Sequence, residues 1–198
     1  MKLIHLSNTM THHYDNEIFM NDNFDLPNLL LIEAKAKIHS ASRYIAINYE
    51  KEPESFLNEQ LMIEAVRAVN EHSAGVVVDA VFTDNFHAIN HNFIGEISKL
   101  LGHARHLIIG PRFSLVPSFL QSKIVDELIQ YDISAVMYDL RGVDMDDNLR
   151  LQPLAKLLMH VKKRTEIIPL VANESDAEIL GKVFPLKMIA IDTIRRNI

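Results

Sequence analysis

The chain of 198 residues contains no cysteine. That excludes disulfides, thiolate metal sites and cysteine nucleophiles, and it fits a reducing compartment. Glycine is scarce, with six in all, and none falls in a G-x-G-x-x-G or Walker pattern, so nucleotide binding through those loops is excluded. No G-x-S-x-G nucleophile elbow is present. Long apolar runs are absent too: none approaches the roughly 20 residues that span a bilayer. The opening MKLIHLSNTMTHHYDN lacks the apolar core and small-residue cleavage site of a signal peptide. A cytoplasmic protein with no membrane partner is therefore expected. Positive charge is in deficit, with a formal net charge of −6 and a pI near 5.9, which argues against bulk affinity for nucleic acid.

What is present is ordinary globular material, 48% hydrophobic and 23% charged, enough for one substantial core. No linker or low-complexity tract interrupts it. Residues 1–198 are read as a single domain, with an irregular part over 1–42 and regular βα repeats over 43–198.

Six apolar, β-branched runs recur, at 43–50, 74–81, 105–112, 133–140, 165–173 and 186–193. Their interiors are continuously apolar rather than alternating, as for strands of a parallel sheet covered on both faces. Helix-period stripes lie between them, over 54–71, 116–130 (Phe119, Leu120, Ile124, Leu128, Ile129) and 148–162 (Leu154, Leu157, Leu158, Val161). Lys162-Lys163-Arg164 closes the last of these, where cations complement the dangling carbonyls. Ser175 and Glu178 have the spacing of a capping box. A pattern offset of sixty positions links Asp79 with Asp139, Asp84 with Asp144, and His106-Leu-Ile with Glu166-Ile-Ile. Any βα series repeats at about this length, so the offset indicates the fold class, α/β, more than a duplication.

Leu3 to Leu6 and Leu29 to Ile32 add two short candidates, for eight strands, the number in a closed βα barrel. However, 198 residues is at the low limit for that fold, and no helix follows the last run. The expected architecture is an open, doubly wound, mainly parallel sheet, with a small or incomplete βα barrel as the alternative.

In parallel α/β folds the loops at the carboxyl ends of strands carry the ligand site. Those ends supply Asn48, Glu50, Asp79, Arg112, Asp139, Arg141, Asn173 and Asp192 as candidates. Clustered carboxylates demand a cation or raise one another's pKa, and oxygen ligands suit Mg²⁺, which makes Asp79, Asp139 and Asp144 a candidate metal set. His87 and His91, four apart with Asp84 before them, have the spacing of two ligands on one helix face, and equally that of a polar loop.

The stretch Asp139-Leu-Arg-Gly-Val-Asp-Met145-Asp146 resembles the loop Asp-Leu-x-Met-Pro-x-Met-Asp-Gly of response-regulator receiver domains. The resemblance implies that 74–198 supplies the five strands of a receiver, with Asp79 among its first-strand acids and Asp139 in the phosphorylated position. Val143 stands where the family keeps proline, Asp147 where it keeps glycine, and Asn173 closes a strand that should end in Thr or Ser. Asp192 follows the strand that should end in a phosphate-gripping lysine. A phosphoryl group on Asp139 would lack both the cation and the hydroxyl that hold it. Ile32-Glu33-Ala34-Lys35 is similar to the Glu-Ala-Leu strand of barrel phosphodiesterases of cyclic dinucleotides, with Lys35 in place of the leucine. That resemblance implies metal-ligand positions at Asp79 and Asp139, but Leu140 takes the place of the second paired aspartate.

The first functional expectation is a non-enzymatic signalling or scaffold protein of pseudo-receiver type, acting on a protein partner, with a homodimer as the base-rate assembly. The alternative is a small βα-barrel metal-dependent hydrolase or phosphodiesterase, with Glu50, Asp79, Asp139 and Asp192 as ligands or general acid and base.

Overall fold

The computed structural model describes residues 1–7, 17–19, 44–48, 75–79, 94–95, 97–99, 101, 106–162 and 164–192. Its strands are β1 (Lys2–Ser7), β2 (Glu17–Phe19), β3 (Tyr44–Asn48), β4 (Gly75–Asp79), β5 (His106–Ile109), β6 (Ala135–Asp139), β7 (Glu166–Val171) and β8 (Met188–Asp192). They follow one another in sequence order around a closed ring, all pairs parallel, and β8 pairs with β1 from Lys2–Met188 to Leu6–Asp192. Tracing the register once around the ring returns to β1 displaced by roughly eight residues, the stagger of an eight-stranded βα barrel.

The open, doubly wound sheet is thus overturned in favour of the βα barrel. Strands of an open α/β sheet and of a barrel are apolar on both faces for the same reason, because helices cover one side and a second packed layer covers the other. The ring closes because the N-terminal part contributes β1 and β2, which a five-stranded receiver sheet does not contain. The second barrel strand is the three-residue Glu17–Phe19. The expected strand at 29–32 and the expected helix at 54–71 lie outside the described residues.

Residue alternation along β5 to β8 divides the described core in two. On β6, Val136 and Tyr138 belong to the cluster shared with the helices, while Ala135 and Met137 are buried on the opposite, inner face. Ile108, Ile168, Leu170 and Ala190 share that inner face, being buried but outside the helix-side cluster. The outer layer is built from α1 (Ser118–Ile129), α2 (Asn148–Val161) and α3 (Glu174–Val183). Ile124, Val125 and Leu128 of α1 and Leu151, Leu154, Leu157 and Val161 of α2 form their buried stripes, each such side chain stabilising by about 1.5–3 kcal/mol. Ile94, Ile97 and Leu101, on helical residues before β5, join the same cluster.

The stripe expected over 116–130 holds except at its start. A 3₁₀ turn, Pro111–Leu115, precedes α1, and Phe119 on the first helical turn is 80% exposed. At the end of α2 Arg164 of the basic run behaves as expected, donating to the carbonyls of Val161 and His160. The box at Ser175 and Glu178 does not cap α3. Asn173 is the cap, accepting from the Asp176 amide at 2.9 Å while its own amide donates to the Asp176 carboxylate at 3.0 Å. Asparagine matches serine as a cap and lies two residues earlier, so the helix begins there.

Candidate functional site

The carboxyl ends of the strands open on one mouth of the barrel. Asp139 and Asp192 end β6 and β8, and both continue the inner-face alternation of Met137 and Ala190. Asp79 ends β4 and pairs with Asn48 at the end of β3. By register, Asp79, Asp139 and Asp192 fall at one level on alternate strands, the layering typical of this barrel. The sixty-residue offset between Asp79 and Asp139 therefore corresponds to a step of two strands around the ring.

Asp139 and Asp192 are joined by Arg141. The chain turns tightly after β6, with the Arg141 amide donating to Asp139 Oδ1 at 3.0 Å and Gly142 at a φ of 76°. This turn folds the Arg141 side chain back on Asp139, where Nε meets Oδ1 at 2.9 Å and Nη2 meets Oδ2 at 2.7 Å. The remaining terminal nitrogen, Nη1, reaches over the end of β7 to Asp192 Oδ2 at 2.6 Å. The two bonds to Asp139 form a fork, the strongest geometry available to an arginine–carboxylate pair. The hydrogen bonds that Arg141 donates to Asp139 hold the guanidinium above its usual pKa against the opposing effect of burial, and Asp192 adds to it. Arg141 and Asp139 are about 28–29% exposed, whereas the Asp192 side chain is 10% exposed.

Ser114 fixes the base of this clamp. The β5–β6 ladder pairs only Ile108 with Ala135 and Ile109 with Val136, after which the chain leaves β5 for the 3₁₀ turn. β6 runs three residues further, and the Asp139 amide that β5 would otherwise pair donates instead to Ser114 Oγ at 2.5 Å. On its other side the next amide, of Leu140, donates to the Leu170 carbonyl at 2.8 Å. The strand end that carries Asp139 is thus held from both flanks. Sequence reasoning passed over Ser114, because a serine in a loop gives no signal until the unequal lengths of β5 and β6 are known.

Two other candidates, Asn173 and Asp144, make their hydrogen bonds elsewhere. Arg112 lies half-buried in the turn after β5. Asn173 is exposed and caps α3. Asp144 is exposed and accepts from the Asp146 amide at 3.0 Å, while Asp147 caps α2 through the amides of Leu149 and Arg150. The acids that follow Asp139 in sequence therefore shape a turn and start a helix. Among the described residues no group of three or more His, Asp or Glu is arranged to hold a metal ion. Glu50, Asp84, His87 and His91 lie outside the described residues, and Asp79 is described through its backbone.

No family model matches the chain, and no curated protein matches it. Solved structures do. The chain is similar to the putative copper homeostasis protein CutC from Streptococcus agalactiae, with a TM-score of 0.68 at 14% identity, over 96% of this chain and 98% of that one. It is similar to PhdJ bound to a substrate intermediate, with a TM-score of 0.60 at 12% identity, over 96% of this chain and 66% of that one. It is also similar to QR15, an aldolase, with a TM-score of 0.58 at 10% identity, over 90% and 89%. These likenesses establish the barrel fold, and none is to a receiver domain. They count against the pseudo-receiver reading and carry no activity of their own to this chain. No described helix is long and apolar enough to cross a membrane.

Proposed function

We propose that this protein is a βα-barrel enzyme acting on a small polar substrate at the carboxyl-end mouth. In this reading Asp192 is the acid–base carboxylate and Arg141 the resident cation. One observation carries it: Arg141 bonds to Asp139 through a fork and to Asp192 through its third nitrogen, across β7. An ionised pair this enclosed is unfavourable to build for stability alone, since taking the charges from water offsets much of their attraction. Placed at the mouth of a barrel, it supplies a fixed positive charge beside a largely buried carboxylate, the arrangement that stabilises charge developing on a substrate. Asp139 holds the Arg141 side chain in place through both of its oxygens.

The reading modifies the metal-dependent hydrolase expected as the alternative. A divalent ion bound by Asp139 and Asp192 would have to displace Arg141, which already supplies the positive charge between them. Hydrolytic and lyase chemistry on small esters, glycosides and hydroxy-carbonyl compounds remains within reach of a carboxylate general acid–base. The test is a survey of such substrates with the wild-type protein and D192N. Turnover by the wild type that falls about 10²–10⁴-fold in a folded D192N is expected. Equal turnover by the two proteins, or none by the wild type across the survey, would contradict the proposal.

A further inference from the structure

The hydrogen-bond inventory of Arg141 specifies what can dock against it. A guanidinium carries five N–H donors. Nε, Nη1 and Nη2 each direct one to Asp139 or Asp192, which leaves one on Nη1 and one on Nη2 with no acceptor among the described residues. Nearby, Asp139 Oδ2 accepts a single bond, from Nη2, and a carboxylate oxygen has room for a second. Both residues are partly open to solvent at the mouth. The group therefore presents fixed donors beside a fixed acceptor, held by the turn at Arg141 and by Ser114 behind it.

Charge narrows the choice. Within the trio of Arg141, Asp139 and Asp192 alone, one guanidinium meets two carboxylates. An anionic ligand would approach a guanidinium already paired with two carboxylates and would be repelled by both. A cationic ligand would have to compete with Arg141 for the same oxygens. A hydroxyl group meets neither obstacle, because it accepts from an N–H of Arg141 and donates to Asp139 Oδ2 at the same time.

Resting on the mouth reading above, we infer that the substrate is an uncharged polyhydroxylated molecule, a sugar or polyol, with adjacent hydroxyls seated on Arg141 and Asp139. Asp192 then lies on the inner side of the bound molecule, where a proton can be exchanged.

The experiment follows the Nε–Hε signal of Arg141 by NMR, together with the melting temperature, as probes are added to the full chain. The probes are neutral glucose, ribose, xylitol and inositol, the anions malonate and inorganic phosphate, and the cations spermidine and Mg²⁺. Expected is a saturable shift of the Arg141 signal and of the melting temperature with at least one neutral probe. Saturation separates binding from the general stabilisation that polyols give by exclusion from protein surfaces. R141K, which keeps the charge but loses the fork, is expected to lose the saturable response, and the wild-type NMR titration stands independently if that variant does not fold. A saturable response to malonate, phosphate, spermidine or Mg²⁺ in place of the neutral probes overturns the uncharged class and leaves the mouth as the site. No movement of the Arg141 signal with any probe overturns both.

Discussion

Arg141 and Asp192 meet at 2.6 Å although 51 residues separate them in sequence and the end of β7 lies between their strands. The contact exists because β7 pairs with β6 on one side and β8 on the other. It links the loop after β6 to the last described strand, and it places a charged pair where this fold carries its chemistry.

Replacing Arg141 by methionine keeps much of the aliphatic volume and removes the cation between two carboxylates. Unfolding free energy is expected to fall by about 1–3 kcal/mol at pH 7, between the ranges for exposed and for buried pairs. Millimolar Mg²⁺ should raise the melting temperature of R141M more than that of the wild type, since the ion then has no arginine to displace. Denaturant and thermal unfolding at pH 7, with and without the ion, check both statements.

Ser114 to alanine removes the acceptor of the Asp139 amide and is expected to cost about 1 kcal/mol. S114T keeps the hydroxyl and should recover most of it. If S114A weakens ligand response at Arg141 while S114T does not, the serine positions the clamp as well as the strand end. Loss of stability without any change at Arg141 would limit it to the strand.

A second ion cluster ties the outer helices together. Asp126 of α1 accepts from His160 of α2 at 2.9 Å and lies 2.7 Å from Arg164 Nη2. Burial pushes the Asp126 carboxyl up, but the bonds from His160 and Arg164 outweigh it, and its pKa lies below the ordinary 3.8. A depressed carboxylate stabilises the fold above its unfolded value and loses that contribution as the pH falls through the folded one. The stability gap between wild type and D126N should therefore be steady near neutrality and close below a pH of about 3.8. A gap that persisted at pH 2 would contradict the assignment.

Lys162 closes α2 in the left-handed region, at a φ of 42°. A side chain is strained there and glycine is not, so K162G is expected to stabilise by about 1 kcal/mol, measurable by thermal unfolding.

How far the sequence reveals this molecule can be seen at particular residues. The runs that became β3 to β8 are legible because each is continuously apolar, and Asp79, Asp139, Arg141 and Asp192 are legible because they lie at the ends of those runs. Closure of the ring is not, since an apolar run such as AVMYD satisfies an open sheet and a barrel equally. β2 is three residues, EIF, within a polar stretch, too short for periodicity to mark it. The loop after Asp139, which resembles a receiver at Asp139, Leu140, Met145 and Asp146, is here a turn and a helix start in which Asp144 and Asp147 bond backbone amides. The partnership of Arg141 with Asp192 has no sequence signature, because it depends on which strands become neighbours.

Arg141 couples the ends of β6 and β8 into one site. A double-mutant cycle of R141M and D192N, read by unfolding free energy, measures that coupling directly. A coupling of about 1 kcal/mol or more is expected for groups in contact. Additive effects, with no coupling beyond error, would contradict the account.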